Sequence, residues 1–451
     1  MAKPRRRADV VVVGAGLAGL RAARALRAGG ASVVVVEARD RVGGRTESRE
    51  VGDAMLDVGG QWMGPTQDRL ATLVRELGCA TFPTFHAGKK VLDVGGDLAT
   101  YQSSIPAVSL LKLAELQISQ WRIDALTHRV PLDAPHTARR AAQWDVTTVE
   151  QWRRRALLSA DTRKMFDVAV RVIFGAEPSE LSLLHFLFYL HSGGSFRNLV
   201  EIEGGAQHTR FVDGAQSISI RMAAALDGAV QLGQPVRSIA QAADGVKVSG
   251  EKGTFDARYA VVAIPPALAA RIAFEPGLPA NRDQLLQRYP MGSTVKVLVG
   301  YDAPFWREQG FSGEVVCCDG PLSLVFDNTS HDGATPCLMS FLCARDARRW
   351  TPLPAGDRKA IVLAELARYF GKRALSPVHY IEQNWSAEPW SVGCPVGVVG
   401  AGVLTSFGES LREPVGRIHW AGTETATVWN GYMDGALESG ERAAREVLAR
   451  L

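Results

Sequence analysis

The stretch from Asp9 to Glu37, DVVVVGAGLAGLRAARALRAGGASVVVVE, decides the fold. It opens with a continuous β-branched run, which is typical of a central parallel strand buried on both faces. A glycine-rich turn follows, and then a helix predicted over 20–28 and a second apolar strand predicted over 32–36. This order of strand, turn, helix and strand predicts a βαβ unit in an α/β protein.

Three glycines in the turn, Gly14, Gly16 and Gly19, follow the pattern GxGxxG. In this setting the first glycine makes the tight turn, the second lets backbone approach a pyrophosphate, and the third lets the helix meet the strand. Glu37 ends the second strand, where its carboxylate can accept hydrogen bonds from a ribose diol. The stretch predicts a dinucleotide site, and the alternative is an ordinary glycine-rich turn.

Composition limits the class of protein. A chain of 451 residues with 46% hydrophobic and 22% charged residues is expected to be soluble and to form two or three domains. The net charge of +4 gives no reason to expect nucleic acid, and the arginine run 5–7 is expected to be a solvated N-terminal tail. No apolar stretch is long enough to span a membrane. Six cysteines without a CxxC pair favour the cytoplasm.

The order of predicted elements suggests two interleaved domains. Strand and turn signals dominate both ends of the chain, whereas apolar periodicity predicts helices over 107–125, 149–158, 161–172 and 181–191. We therefore expect a discontinuous cofactor domain over 1–85, 205–290 and 385–451. The substrate domain, with its helical insertion, is expected over 86–204 and 291–384.

Two stretches carry a family resemblance. Residues 37–46 read EARDRVGGRT, and residues 418–436 read IHWAGTETATVWNGYMDGA. They resemble the N-terminal extension and the C-terminal flavin motif of the flavin-containing monoamine oxidase family, and nicotinamide dehydrogenases lack that extension. Matches at 64–67 (GPTQ) and 304–306 (PFW) extend the resemblance over nearly the whole chain.

The resemblance implies a fold, a cofactor and a reaction. The fold is a glutathione-reductase-like FAD-binding Rossmann domain with a second, mixed α/β substrate domain. The reaction is oxidation of an amine to an imine, which hydrolyses to an aldehyde, while O2 is reduced to H2O2. The implied partners are a small-molecule amine and O2, with no nucleic acid, membrane or metal, and a homodimer is a further expectation.

By match to the family, residues from both ends of the chain would contact FAD. The closing helix, predicted to start near Tyr432, would direct its N-terminal amides at the pyrimidine edge of the flavin. The implied cofactor residues are Gly14, Gly16, Gly19, Glu37, Arg39, Gly44, Arg45, Gly60, Gln61, Trp62, Val236, Trp385, Cys394, Gly422, Thr423, Glu424, Tyr432 and Met433.

Two residues are the implied catalytic groups. Lys296 interrupts an apolar strand, and a buried ammonium needs a partner or a function. The matching lysine of the family holds a water against flavin N5 and aids reoxidation, and the alternative here is a solvent-facing lysine on an edge strand. Tyr432 matches one wall of an aromatic cage that receives the amine nitrogen. Pro395 stands where animal monoamine oxidases carry the tyrosine of the other wall, and Trp62, Trp385 and Trp390 are candidates to replace it.

Cys394 matches the cysteine that is bonded covalently to the flavin in animal monoamine oxidases, and a structural core cysteine is the alternative. The resemblance also implies a substrate pocket, with ordinary core packing as the alternative for each position. The pocket residues are Trp121, Val172, Ile173, Leu199, Val200, Gln207, Leu324, Phe341 and Pro395.

Other activities remain open from the sequence. A polyamine or diamine oxidase of the same superfamily could use Glu201 or Glu203 to hold a far ammonium, although a solvated pair is the simpler interpretation. An L-amino-acid oxidase needs a cation for the substrate carboxylate, and Arg197 is the candidate. A non-catalytic flavoprotein and a nicotinamide-dependent dehydrogenase are the remaining alternatives.

Overall fold

The strand, turn and helix predicted at the N-terminus begin the fold of the computed structural model, which describes residues 5–102, 106 and 108–451. Within those residues the strands are, in chain order, β1 Arg5–Arg7, β2 Val10–Val13, β3 Val33–Val36, β4 Ser48–Val51, β5 Ala54–Asp57, β6 Thr81–Pro83, β7 Lys89–Val94, β8 Asp97–Tyr101, β9 Thr209–Phe211, β10 Val230–Gln231, β11 Val236–Gln241, β12 Val246–Gly250, β13 Thr254–Ala257, β14 Tyr259–Val262, β15 Ala273–Glu275, β16 Thr294–Gly300, β17 Phe311–Cys317, β18 Leu324–Asp327, β19 Cys337–Cys343, β20 His379–Asn384 and β21 Ile418–Trp420.

Helices alternate with these strands over the same described residues. The α-helices are α1 Leu17–Ala28, α2 Asp68–Glu76, α3 Leu110–Thr127, α4 Ala141–Val146, α5 Val149–Ala156, α6 Ala160–Phe174, α7 Leu183–Ser192, α8 Phe196–Val200, α9 Gln216–Ala224, α10 Pro266–Ala269, α11 Ala280–Gln287, α12 Phe305–Glu308, α13 Ala344–Trp350, α14 Ala355–Phe370, α15 Val403–Phe407 and α16 Met433–Leu448.

Strand β2 is the centre of a parallel five-stranded sheet with the order β10-β3-β2-β14-β21. Val10 pairs with Val33 on one side and with Tyr259 on the other. Val10 and Val12 pack into a cluster with helices α1 and α16, whereas Val11 and Val13 pack into a cluster with a second sheet. The predicted doubly buried parallel strand is therefore confirmed, because both of its faces are covered.

The second sheet has the order β1-β13-β12-β11-β15. It includes Arg5–Arg7, which pair in parallel with 254–256 of β13. The prediction that this arginine run is a solvated tail was wrong for its backbone. Sheet pairing uses backbone N–H and C=O groups, so a free strand edge can accept a run whose side chains give no strand signal.

The third sheet is seven-stranded and mixed, with the order β20-β16-β19-β18-β17-β7-β8. One of its faces packs on helix α14 through apolar residues such as Val295, Val297 and Val315. The opposite face carries Lys296, Phe341 and Leu324, which are successive cross-strand partners. This second face forms one wall of the cavity described below.

Helices α3 to α8 fill the segment between β8 and β9. The predicted helices over 149–158, 161–172 and 181–191 are confirmed as α5, α6 and α7, with bounds that differ by a few residues. The helix predicted from Ala107 is observed as α3, and Ala107 itself lies outside the described residues. These helices share one large apolar core that includes Phe174, Phe186 and Tyr189.

The two expected domains contribute their strands to different sheets. The first two sheets take strands from 5–36, 230–275 and 418–420, whereas the third takes strands from 89–101 and 294–384. The sequence boundaries at 85, 204, 290 and 384 stay a prediction. Among the described residues, every helix is too short or too polar to cross a lipid bilayer.

Candidate functional site

A single cavity of about 460 Å³ runs from the glycine turn of β2–α1 to the face of the seven-stranded sheet that carries Lys296. Its walls come from the loops after β2 and β3, the segment 58–62, helices α6 to α8, and the start of α16. Residues separated by more than 400 positions in the chain therefore line one space. Its length and mixed walls suit a long ligand together with a smaller one.

The glycine turn forms a cradle for a ligand at the start of helix α1. Gly14 has φ +103°, and a Cβ there would lie 2.8 Å from the Ala263 carbonyl oxygen. Gly16 is the N-cap of α1 and provides no side-chain cap, while a Cβ on it would approach nothing nearer than Gly44 Cα at 4.0 Å. The backbone amides of this helix start are thus available to an anionic group, and the space over Gly16 fits a pyrophosphate.

Gly19 has a different role from the other two glycines. It lies outside the cavity lining, and a Cβ on it would lie 1.9 Å from the Gly14 carbonyl oxygen. The packing role expected for Gly19 is therefore confirmed, while its contact with the cofactor stays a prediction. This glycine allows α1 to pack against the turn.

Glu37 and Arg39 lie at the carboxyl end of β3 and line the cavity. The Glu37 carboxylate accepts hydrogen bonds from the backbone N–H groups of Ala15, at 2.8 Å, and Arg39, at 3.0 Å. The Arg39 guanidinium donates to Ser391 Oγ at 2.8 Å. These contacts fix the carboxylate beside the glycine turn, where a ribose diol would lie.

A partly buried ion pair joins the two ends of the chain. Arg45 donates to Glu424 through Nη1 and Nη2, at 2.6 and 3.0 Å, and Nη1 also donates to the Pro395 carbonyl oxygen at 2.8 Å. Burial alone would lower the pKa of Arg45, but the Glu424 carboxylate reverses this effect and raises it. Arg45 lines the cavity and Glu424 does not, and the expected contact of Glu424 with the cofactor stays a prediction. Both oxygens of the Glu424 carboxylate accept hydrogen bonds from Arg45.

A second helix N-terminus faces the cavity at α16. Tyr432 is its N-cap and provides no side-chain cap, and Met433 is the first helical residue. Both residues line the cavity together with Gly422 and Thr423. The positive end of the α16 dipole is thus directed at the same space as that of α1.

Lys296 is buried in β16, an interior strand between β19 and β20, with 2% of its surface exposed. Its Nζ donates to the Gly59 carbonyl oxygen at 2.9 Å and to Gln61 Oε1, and Gln61 Nε2 donates to Asn328 Oδ1 at 2.9 Å. Burial lowers the pKa of Lys296 from 10.5 to about 7, and the nearby Asp57 carboxylate opposes this fall. The solvent-facing alternative is excluded for this lysine.

The implied pocket residues lie together, with one exception. Those that line the cavity are Val172, Ile173, Leu199, Val200, Gln207, Leu324, Phe341 and Pro395. Gln207 Nε2 donates to the Leu199 carbonyl oxygen at 2.9 Å, whereas its Oε1 is buried without a partner among the described residues. The amide can therefore accept a hydrogen bond from a ligand.

Trp121 is the exception and is corrected. Its side chain is 64% exposed on helix α3. The buried positions of that helix include Ser119 and Ile123, which lie two residues on either side of it. Two residues are more than half a turn of helix, so Trp121 points away from the core.

The implied contact of Val236 with the cofactor stays a prediction. Val236 begins β11, pairs with Gly250 of β12, and packs against the cluster of the second sheet. It lies outside the cavity lining. The remaining implied cofactor positions that line the cavity are Gly44, Gly60, Gln61, Trp62, Trp385 and Cys394.

Aromatic side chains surround the cavity beside Tyr432. The Tyr432 ring lies 4.9 Å from the Trp429 ring and 6.1 Å from the Tyr189 ring. Trp62, Trp385 and Trp390, the three candidates for a second aromatic wall, also line the cavity. Sequence reasoning missed Tyr189, whose only signal was its place in the apolar run LLHFLFYL at 183–190.

Cys394 lines the cavity and is partly buried. Burial raises the pKa of its thiol to about 12, although the nearby Arg45 charge opposes the rise. Sequence reasoning also missed Lys90, Tyr101 and Glu314, which line the far end of the cavity. The available signal was a charged residue among the apolar residues of β7 and of β17.

Comparisons with known proteins agree with this geometry. The sequence profile described as flavin containing amine oxidoreductase matches residues 17–448. A probable flavin-containing monoamine oxidase A from Dictyostelium discoideum is 42% identical over 98% of this chain and 98% of its own length. A flavin-containing amine oxidase A from Equus caballus is 38% identical over 98% of this chain and 85% of its own length.

Solved structures show the same fold over the whole chain. Cyclohexylamine oxidase from Brevibacterium oxydans IH-35A has a TM-score of 0.94 and 34% identity, and the match covers 98% of this chain and 99% of that one. Putrescine oxidase bound to putrescine also has a TM-score of 0.94 and 34% identity, with 99% and 100% covered. The glutathione-reductase-like α/β fold predicted from the sequence is confirmed. With a profile that spans most of its length and relatives above 30% identity, the chain belongs to the flavin-containing amine oxidoreductases, FAD-dependent enzymes that oxidise amines.

Proposed function

We propose that the protein oxidises an amine to an imine, which hydrolyses to an aldehyde, and transfers two electrons to O2 to give H2O2. The observation that carries this proposal is the single cavity, which joins a dinucleotide cradle to an apolar chamber containing a buried lysine. The amine loses two electrons and two protons, and O2 gains both. FAD, when bound, accepts the electrons and passes them to oxygen.

Three parts of the chain are placed to contact FAD. The amides at the start of α1 would hold the pyrophosphate over Gly16, and the Glu37 carboxylate would hold the ribose. The amides at the start of α16, next to Tyr432 and Met433, would face the pyrimidine edge of the flavin, where negative charge collects on reduction.

The chamber would favour the neutral amine, which is the reactive form. Its walls include Val172, Leu199, Leu324 and Phe341, and the removal of water disfavours an ammonium. Burial raises the pKa of Tyr432, so its phenol stays neutral at physiological pH. A neutral aromatic ring beside the reacting carbon can orient the nitrogen without pairing with its charge.

Lys296 would act in the oxygen step. Its pKa of about 7 leaves roughly half of the side chains charged at neutral pH. The ammonium is held by the Gly59 carbonyl oxygen and Gln61 Oε1, so its orientation is fixed. A positioned cation, or a water that it holds, would stabilise the negative charge that develops as O2 is reduced.

Cys394 would hold FAD covalently. The link would join Cys394 Sγ to the 8-methyl carbon of the flavin, and one S–H and one C–H bond would be broken. The two electrons released would pass to the flavin and then to O2. The lining position of Cys394 supports the link, and a putrescine oxidase variant in which cysteine replaces alanine is described as a redesign of cofactor binding.

An amine panel tests the proposed function. Under anaerobic conditions, purified protein should lose its visible flavin absorption on addition of an amine substrate, and air should restore the colour with release of H2O2. Failure of every amine to bleach the flavin would leave a non-catalytic flavoprotein, and absence of a flavin band would favour a nicotinamide enzyme.

L-Amino acids belong in the same panel as the main competitors. Arg197, the cation considered for their carboxylate, is 68% exposed and lies outside the cavity lining, so we expect them to be poor substrates. A homodimer and a cytoplasmic location stay predictions.

A further inference from the structure

Three arginines contact the segment of chain that leads from β21 to the cavity. Arg442 donates from Nη2 to the Trp420 carbonyl oxygen at 2.8 Å and to Thr425 Oγ1 at 3.0 Å. Arg412 donates from Nε to the Thr425 carbonyl oxygen at 2.7 Å. Arg282 of α11 stacks on the Trp420 ring, with Cζ 3.6 Å from the ring centroid. The three guanidinium groups are therefore gathered around one short segment.

Two of these arginines have carboxylates near them. Arg442 Nη1 lies 2.7 Å from Glu446 Oε1, and the two side chains are only 15% and 27% exposed. Burial and then the Arg442 charge lower the pKa of Arg412, but the Glu438 and Asp133 carboxylates oppose this fall. The charges of Arg442 and Arg412 are therefore at least partly compensated within the chain.

Arg282 lacks such a carboxylate in the part of the chain that the structure describes. Only 3% of its surface is exposed, and Nη1 donates to two neutral groups, the carbonyl oxygens of Ser410 and Leu411, at 2.8 and 2.7 Å. Burial and then the Arg442 charge lower the pKa of Arg282 to about 9, and no described carboxylate opposes this fall. The guanidinium is still charged at neutral pH, and the Trp420 ring compensates only part of that charge. A buried charge without a counter-ion is costly.

A second observation points to a ligand. Three buried N–H groups here have no partner among the described residues, namely Arg282 Nε, Arg442 Nε and Trp420 Nε1. The whole of Trp420 is only 1% exposed. Arg282 Nε is one C–N bond, about 1.3 Å, from the Cζ atom that stacks on Trp420, so it lies within about 5 Å of that ring centroid. Unpaired buried donors are costly, and three of them in contacting side chains indicate a bound acceptor.

We propose that Arg282, Arg442 and Trp420 bind a chloride ion. The unused groups are guanidinium and indole N–H groups, which donate hydrogen bonds and cannot accept them. A halide only accepts, whereas a water molecule would also need acceptors for its own two hydrogens. One negative charge compensates Arg282. A divalent anion would lose more hydration free energy in so buried a place.

The chloride site would support the cofactor site. Trp420 and Thr425 flank the turn that contains Gly422 and Thr423, and both of those turn residues line the cavity. Arg442 holds the two flanking residues. An ion that binds the native state but not the unfolded chain stabilises the native state by mass action. The inference goes beyond the proposed function and does not depend on it, because chloride takes no part in amine oxidation.

Thermal unfolding of the holoenzyme tests the site in solution. Tm is measured at constant ionic strength while chloride replaces gluconate, an anion too large for a buried cluster. We expect Tm to rise by about 2 to 4 °C as chloride saturates the site. Crystals grown with bromide in place of chloride should show an anomalous scattering peak in contact with Arg282 and Trp420.

Arg282→Met is the decisive variant, because it removes the uncompensated charge and keeps a long side chain. It should abolish the rise in Tm with chloride. Arg288→Met is the matched control. Arg288 ends the same helix and also stacks on an aromatic ring, with Cζ 5.4 Å from the Phe407 centroid, but it is exposed. The control should keep the full rise in Tm.

Trp420→Phe decides the question if Arg282→Met does not fold. Phenylalanine keeps an aromatic ring beneath Arg282 but removes one N–H donor. The midpoint of the chloride titration should therefore move to a concentration about tenfold higher.

Each outcome either supports or overturns the chloride site. A wild-type Tm that does not change with chloride would overturn it, and so would an equal rise in Arg282→Met and Arg288→Met. Crystals with water alone at this position, or with bromide only elsewhere on the protein, would also overturn it. Every one of these results would leave the proposed amine oxidation intact, because that activity is measured by flavin bleaching and peroxide release.

Discussion

Replacement of Lys296 by methionine tests the proposed oxygen step. Methionine keeps an unbranched chain of similar length in the interior strand β16 but removes the ammonium. We expect Lys296→Met to slow reoxidation of the reduced enzyme by O2 about 10² to 10³-fold, as removal of one positioned donor does elsewhere. Reduction by amine should change only slightly, because Lys296 has no proposed part in the removal of hydrogen from the substrate.

The pKa of Lys296 gives the size and direction of a second effect. The fall from 10.5 to about 7 corresponds to about 5 kcal/mol against the charged form. At pH 6 about nine-tenths of the side chains are charged, and at pH 8 about one-tenth are. If the ammonium is the active form, the wild-type reoxidation rate should fall about tenfold as pH rises from 6 to 8. The methionine variant should lack this decline.

Stopped-flow absorbance measures the two half-reactions separately, with anaerobic amine for reduction and oxygenated buffer for reoxidation. Lys247→Met is the matched control, because Lys247 is exposed on β12 and lies outside the cavity lining. Equal slowing of both half-reactions in Lys296→Met would refute the assigned step. A wild-type decline that persists in the variant would assign the titration to another group.

Further substitutions test the cofactor site. Gly16→Ala should keep the fold and weaken FAD binding, since its Cβ would meet only open cavity, whereas Gly19→Ala should disrupt the turn, since its Cβ would lie 1.9 Å from a carbonyl oxygen. Thermal unfolding and FAD titration distinguish the two variants. Equal loss of the fold in both variants would contradict this assignment. Cys394→Ala should give a colourless pellet on acid precipitation where the wild type gives a yellow one, and a colourless wild-type pellet would exclude the covalent link. Glu424→Gln should lower the free energy of unfolding by up to about 3 kcal/mol in a denaturant titration, because Arg45, whose side chain is 21% exposed, would lose its counter-ion. A loss below about 1 kcal/mol would show that water or another group replaces the carboxylate.

Local sequence patterns were sufficient to predict the cofactor-binding fold. The valine run of β2, the glycine turn and helix α1 lie within 20 residues of one another, so their contacts depend mainly on short-range geometry. The same holds for the start of α16, where a glycine-rich turn precedes a helix. Lys296 could also be singled out, because a charge inside an apolar strand is visible without a structure.

The direction of a side chain and the pairing of residues far apart in the chain could not be predicted from local sequence patterns. Periodicity placed Trp121 on a helix and family matching placed it in the pocket, but its side chain is exposed. Local patterns also gave no sign that the Glu424 carboxylate pairs with Arg45, 379 residues away in the chain. The arginine run 5–7 pairs through its backbone, and backbone pairing cannot be recognised from the residue types.

The sequence by itself determined that this protein contains a dinucleotide cradle and a lysine within an apolar strand, because each depends on neighbours in the chain. Only the tertiary structure decided what the far end of the cavity contains. Lys90 and Glu314 are 224 residues apart in the chain and come together because β7 and β17 are adjacent strands. Their charge matters because packing removes water from both, and that loss of water depends on the whole fold.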